Sequence, residues 1–378
     1  METYRGVESI DYANNREVDF LAYIVSPWHL LGVKAVVQKL RASTSSIRGL
    51  VMICKNHCDK YLITEIPEIE GVEFAYYENG SLSISSISSI LFQRNDKAKK
   101  RKSFIIPYKI DVFLYALYSL NNKGKYITEC YVIDEGLGTY LGLNIDKLTN
   151  TKRVFNIKEW ITLSKNIISE LLRSILELKL KKQALLYDFS LFTQDRNNHL
   201  QTNESVVDYY RQVISSETII HQEGNDIYDN AVLINTQPLE GVEDNADIDI
   251  LYDLCKQCYA KGIKVVVKPH PAEKNIKKYS KLNKYVNWDL RNELSQEVIL
   301  NSLTHKPLAM ISFYSTTLVT SKLFWSIPTF SVAKILLLED ISNGLRKKLT
   351  DFISVFNEHT IFCDSIESLV NTLVENNI

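Results

Sequence analysis

The stretch IDILYDLCKQCYAKGIKVVVKPHP, Ile248 to Pro271, carries the pattern from which the fold is read. Residues 248–261 place apolar side chains at helical spacing and predict a helix. Gly262 ends that helix, and residues 263–267 form a short, β-branched apolar run that predicts a buried strand. The strand stops at Lys268-Pro269-His270-Pro271, where two prolines remove two backbone donors. The same winding recurs on both sides. Residues 231–235 predict a strand before the helix, 308–311 and 328–332 two further strands, and 317–325 a helix between them. Residues 365–376 predict a final amphipathic helix.

The first half of the chain reads alike. Residues 20–25 are a buried strand ending at Ser26-Pro27, and 28–41 follow as a helix that Ser26 or Pro27 is well placed to start. Residues 49–54, 74–77 and 130–133 predict strands, and 110–120 a helix. Residues 157–186 read as a long amphipathic helix. Residues 187–228 are mixed and polar, with 194–203 the least structured part. Strands that are apolar on both faces and alternate with helices argue for a parallel sheet covered on both sides. The expected class is therefore α/β, with two doubly wound Rossmann-like domains facing a cleft. Its expected organisation is an N-terminal domain at 1–190, a connection at 191–228, a C-terminal domain at 229–364, and a last helix at 365–378 that packs back on the first domain.

The composition narrows the function. At 378 residues the chain is long enough for two cores, and 45% hydrophobic with 24% charged residues is an ordinary globular balance. A formal net charge of −1 gives no whole-molecule field for nucleic acid or any other polyanion, so such affinity needs a local patch. The densest positive stretch is Lys97, Lys99, Lys100, Arg101 and Lys102, read either as a solvated loop or as a contact for an acidic polymer or anionic lipid. Of six cysteines, Cys54 with Cys58 and Cys255 with Cys258 have short spacings, but the second pair lies inside the predicted helix, where one buried face explains it. No metal site is expected. Sparse cysteine, a polar leader at 1–19 and no long apolar window suggest a cytoplasmic protein that could sit against a membrane.

Ligands of doubly wound sheets bind beyond the carboxyl ends of the strands. Four marked sequences fall there: Ser26-Pro27, Asp134-Glu135-Gly136, His270-Pro271 and Ser315-Thr316. Asp134 and Glu135 precede a backbone that can turn at Gly136 and Gly138, and a carboxylate held there can accept a proton from an attacking hydroxyl. The plainer reading is a pair of acids capping the next helix. Lys268 and His270 lie two residues apart on an extended, proline-bounded segment, a cation pair suited to a phosphate; the plainer reading is a lone loop histidine. Ser315, Thr316 and Thr317 open a helix, so their hydroxyls and the free N–H groups there suit an anion as well as simple capping. No Walker or Gly-x-Gly-x-x-Gly sequence supports a P-loop or dinucleotide site.

Asp134-Glu135-Gly136, then His270-Pro271, then Ser315-Thr316 resembles the bacterial sialyltransferases. The long gap between the first two motifs is most similar to the polysialyltransferases of encapsulated bacteria. The resemblance covers roughly residues 20–335 but rests on fewer than a dozen positions. It implies a GT-B fold and an inverting, metal-independent transfer from CMP-sialic acid, with no cofactor, to a sialylated or galactose-ending acceptor. It makes Glu135 the general base, with Asp134 as its rival. It places His270, Lys268, Pro271, Ser315 and Thr316 on the CMP phosphate, and Glu297, or its rival Glu293, on the ribose. Ser26, a candidate donor contact, matches the first strand-end loop in position only. The implied partner is an acidic oligo- or polysaccharide acceptor, lipid-linked or free, for which Lys99, Lys100, Arg101 and Lys102 are candidate contacts, with peripheral contact to the inner membrane or the capsule-export machinery. Transfer of a single sialic acid, use of another nucleotide sugar, and sugar binding without catalysis stand as alternatives.

Overall fold

The computed structural model describes residues 3–5, 12, 16–44, 46–54, 69–78, 103–107, 129–134, 136–141, 185–194, 200–216, 225–270, 273, 275–291 and 295–376. The chain divides into two compact units. The first comprises Met1–Thr139, Asn144–Thr193 and Thr202–Val213; the second comprises Tyr140–Leu143, Gln194–Gln201 and Ile214–Ile378.

The strands of the first unit are β1 (Thr3–Arg5), β2 (Phe20–Ile24), β3 (Gly49–Cys54), β4 (Val72–Glu78), β5 (Ser103–Pro107), β6 (Glu129–Ile133) and β7 (Leu185–Phe189). They form one parallel sheet in the order β1-β4-β3-β2-β5-β6-β7. Every residue of β2 and β3 is buried, which is why both read as unbroken apolar runs. Gly49 pairs with Phe20, and a β-carbon there would fall 2.0 Å from the Phe20 ring, so only glycine admits that neighbour. The helix Pro27–Ser43 follows β2. Ser26 caps it by accepting from the His29 N–H, Pro27 opens it, and Leu30, Leu31, Val33, Val36 and Val37 are buried along it.

Residues 185–186, expected in a helix, belong instead to β7, which pairs with β6 from Glu129↔Leu185 to Ile133↔Phe189. The segment expected to be loose holds two short strands, β8 (Phe192–Gln194) and β9 (Leu200–Thr202), that form their own sheet, and the helix Glu204–Ser216. The predicted helix at 110–120 and most of that at 157–186 lie outside the described residues.

In the second unit, β10 (Ala231–Asn235), β11 (Lys264–Lys268), β12 (Asn287–Trp288), β13 (Ala309–Ser312), β14 (Thr329–Ser331) and β15 (Ile361–Phe362) form a parallel sheet in the order β12-β11-β10-β13-β14-β15. Its core gathers Val232 and Ile234, Val265 and Val267, and Leu251, Leu254, Cys255 and Cys258 of the helix Ala246–Ala260. Cys255 and Cys258 are thus core thiols, which burial pushes well above the usual range. The final helix is Ile366–Glu375. Its apolar stripe, Ile366, Leu369, Val370 and Leu373, lies in this same core alongside Ala246–Ala260. The helix Asn343–Phe356 was not expected, and it buries Leu345, Leu349, Phe352 and Phe356 along one face.

Both units are thus doubly wound α/β sheets, as expected of each half of a GT-B fold. Among the described residues, no helix is long and apolar enough to cross a membrane.

Candidate active site

In the second unit the chain runs from β10 to β11 on one side and later to β13 on the other. Strand order reverses between β10 and β13, which makes their carboxyl ends the expected ligand position. Polar residues meet there. The Ser312 hydroxyl donates to the Asn235 carbonyl at 2.9 Å, and Asn235 Nδ2 donates to Thr317 Oγ1 at 2.9 Å. Ser315 and Thr317 join their hydroxyls at 2.8 Å, and the Thr317 N–H donates to Ser315 Oγ. The Tyr314 N–H donates to Gln237 Oε1 at 2.9 Å. On the other flank, the Thr236 N–H donates to the Lys268 carbonyl, and the His270 N–H donates to Thr236 Oγ1 at 3.3 Å. Three strand-end loops are therefore stitched together around Asn235-Thr236-Gln237.

Each predicted residue of this unit takes a definite place. Ser315 is the N-cap of the helix Thr316–Trp325, so the plain capping reading holds, and Thr316 is its first residue. His270 follows β11; burial and the charge of Lys268 hold its pKa below the ordinary value, against an opposing pull from Glu273. It is thus a neutral donor or acceptor near pH 7, and an anion bound beside it would favour uptake of a proton from solvent. Lys268 is buried, and its Nζ donates to the Arg291 carbonyl at 2.5 Å. Behind that carbonyl, the Arg291 guanidinium forks onto Asp289 at 2.8 and 2.9 Å, and the Tyr228 hydroxyl donates to the same carboxylate. Burial alone would raise Asp289, yet these bonds hold it below the usual range.

Glu297 is buried near the start of the helix Gln296–Ser302, which Ser295 caps, and it accepts from Thr320 Oγ1 at 2.9 Å. Burial raises its pKa above 4.5, although the backbone N–H and the Thr320 and Ser295 hydroxyls oppose the rise. The folded state therefore favours the proton. The cost of ionising Glu297 appears as pH rises from the ordinary value through the folded one, and it persists above that. Glu297→Gln escapes this cost. It is expected to raise the melting temperature by about 2–4 °C at pH 8 and by nothing at pH 4. Thermal unfolding at the two pH values checks it.

In the first unit, Asp134 directly follows β6 and is fully buried. Its Oδ1 accepts from the Gly136 N–H at 2.5 Å, and its Oδ2 from the Leu191 N–H at 3.3 Å. Gly136 adopts a φ of 100°, open to glycine at little cost. Asp134 thus ties the turn after β6 to the segment after β7. Ser26 is engaged as the cap described above. Glu135, Pro271, Glu293, Lys97, Lys99, Lys100, Arg101 and Lys102 lie outside the described residues.

The sequence reading passed over Asn235, Thr236 and Gln237. The strand-end rule that marked His270 and Ser315 applies equally to them, because the apolar run Ala231–Asn235 halts at these polar residues. Asp289 and Arg291 follow an edge strand of two residues, too short to announce itself.

The family model for alpha-2,8-polysialyltransferase (POLYST) matches residues 20–334. No curated protein matches the sequence. Among solved structures, the chain is similar to a sialyltransferase from Photobacterium damsela, with 12% identity, 91% of this chain and 81% of that chain covered, and a TM-score of 0.46. It is also similar to the 2,6-sialyltransferase of Photobacterium sp. JT-ISH-224 in a ternary complex with CMP and lactose, with 13% identity, coverage of 91% and 78%, and a TM-score of 0.46. A third likeness is to the E. coli heptosyltransferase WaaC with ADP, with 9% identity, coverage of 95% and 100%, and a TM-score of 0.41. With five-sixths of its length matched by one family model, the chain belongs to the alpha-2,8-polysialyltransferase family and is a glycosyltransferase.

Proposed function

We propose that the protein transfers sialic acid from CMP-sialic acid to a hydroxyl of a sialylated acceptor, with inversion, and so extends a capsular polysialic acid. The observation that carries this reading is the donor cluster at the β10–β13 reversal: His270, Ser315 and Thr317 around Asn235, with Lys268 behind. Such a cluster suits one phosphate.

In the proposed reaction the acceptor oxygen attacks the anomeric carbon of the donor sugar. Its proton passes to the Glu135 carboxylate. The bond from that carbon to the phosphate oxygen breaks, and its electron pair leaves with CMP. Hydrogen bonds from His270, the hydroxyls of Ser315 and Thr316, and the Lys268 charge offset the growing charge on the phosphate. CMP is already a good leaving group, so no metal is required, and a chelator is expected to leave the rate unchanged. Glu297 takes the ribose hydroxyls, and Lys99, Lys100, Arg101 and Lys102 attract the acidic acceptor. Cys130, Cys255, Cys258 and Cys363 are free and buried, which suits a reducing compartment and supports a place in the cytoplasm, against the inner membrane where a lipid-linked acceptor would sit.

The test is release of CMP from CMP-sialic acid with an oligosialoside acceptor. No release, with or without acceptor, overturns the reading. A ladder of long products on a gel supports polymer extension, and a single added residue overturns that part. His270→Ala is expected to weaken CMP binding about tenfold and to lower turnover as well, read by titration calorimetry beside the rate.

A further inference from the structure

Several polar hydrogens at the β10–β13 strand ends are spent inside the protein. The Thr236 N–H goes to the Lys268 carbonyl, the His270 N–H to Thr236 Oγ1, and Asn235 Nδ2 to Thr317 Oγ1. The Ser315 and Thr317 hydroxyls share one hydrogen across 2.8 Å, which leaves the other for a ligand. Gln237 differs. Its Oε1 accepts from the Tyr314 N–H at 2.9 Å, which ties the segment after β10 to the residue beside the Ser315 cap. A backbone N–H can only donate, so this bond decides which end of the amide is oxygen and which is nitrogen. The Nε2 group is left on the other side, with two N–H donors that meet no partner among the described residues. Gln237 is half-buried, so these donors stand open at the strand ends, where a doubly wound sheet takes its ligand.

We propose that Gln237 is a specificity-determining residue whose Nε2 donates to the carboxylate that the donor sugar carries on its anomeric carbon. This inference rests on CMP-sialic acid being the donor. That sugar brings two anionic groups to one carbon, the phosphate through a bridging oxygen and the carboxylate directly. The phosphate is served by His270, the remaining hydroxyl hydrogen of the Ser315–Thr317 pair and the Lys268 charge. The carboxylate accepts and cannot donate, so it needs a donor of its own, and an unserved one costs affinity. The free Nε2 group, fixed beside the Ser315 cap, is such a donor. A sugar with no anion at that carbon gains less from the same amide, because hydrogen bonds to charged groups are the stronger ones.

Two substitutions test it. Gln237→Met keeps the length of the side chain and removes both ends of the amide. Gln237→Glu keeps an oxygen for the Tyr314 N–H and puts a second oxygen where Nε2 stood. Calorimetric titration compares CMP with CMP-sialic acid, the latter without acceptor. Gln237→Met is expected to weaken CMP-sialic acid about tenfold and CMP by no more than about twofold. Gln237→Glu sets a carboxylate against the sugar's own, so its loss for CMP-sialic acid is expected to exceed its loss for CMP by about tenfold or more. A merely structural role through the Tyr314 brace would weaken the two ligands alike. Equal losses for both ligands in either variant, or wild-type affinity of Gln237→Met for CMP-sialic acid, overturns the proposal. The wild-type protein judges the donor reading separately. Failure of CMP-sialic acid to bind wild type overturns that reading, whereas equal binding to wild type and Gln237→Met overturns the Gln237 assignment alone.

Discussion

Glu135→Gln is expected to lower sialyl transfer about a thousandfold while leaving CMP affinity within twofold of wild type. The size follows from general-base catalysis. An acceptor alcohol is a poor nucleophile until its proton is taken, and an amide of the same shape cannot take it. The choice of Glu135 over Asp134 was open from sequence, because the two acids are adjacent and chemically equal. The structure gives Asp134 a task of its own. Both Asp134 oxygens accept backbone N–H groups, from Gly136 and Leu191, and the side chain is fully buried. Asp134 is therefore occupied in holding the turn, which supports Glu135 as the proposed base. In the proposed reading CMP binds at the second unit's cluster, so its affinity is not expected to follow the loss. Single-turnover transfer measured beside CMP titration checks both halves. Equal loss of binding and turnover would sink the assignment.

How much of this was legible in the sequence depended on what each segment buries. The central strands β2, β3, β10 and β13 are buried on every residue, so they surface as apolar runs with sharp ends. Residues 185–186 misled because Leu185-Leu186 follows a lysine-bearing amphipathic stretch and continues its spacing; only pairing with β6 shows the strand. The helix Asn343–Phe356 carries its signal in Leu345, Leu349, Phe352 and Phe356 after the Ser342 cap, and was simply not extracted. Cys255 and Cys258 were rightly read as one helix face. In the candidate site, His270 stood out because prolines flank it, whereas Asn235-Thr236-Gln237 have no such marker, although they do most of the stitching.

Asn235→Asp is expected to weaken CMP binding by a hundred- to a thousandfold, well beyond the roughly tenfold loss expected of Asn235→Ala. The two substitutions remove the same brace, the bond from Asn235 Nδ2 that holds Thr317 Oγ1 at 2.9 Å. Loss of the brace leaves Thr317 and Ser315 free to turn their hydroxyls elsewhere, at about 1 kcal/mol, which sets the alanine effect. Aspartate adds a second fault. Asn235 is buried with an Oδ1 that has no partner among the described residues, so a carboxylate placed there gains no compensating donor. It would repel a phosphate bound at the same strand ends, and at the effective dielectric of such sites two charges some 4–6 Å apart repel by about 3–4 kcal/mol. Screening by water at the strand ends takes back part of this, which sets the lower bound. The repulsive share is separable because it depends on ionisation: binding to Asn235→Asp is expected to recover toward the alanine value as pH falls, while Asn235→Ala tracks wild type across the same range. Calorimetric titration with CMP at pH 8 and pH 5 decides it. Equal affinities for the two variants at both pH values would mean that the phosphate binds elsewhere, and the β10–β13 cluster would lose its assignment.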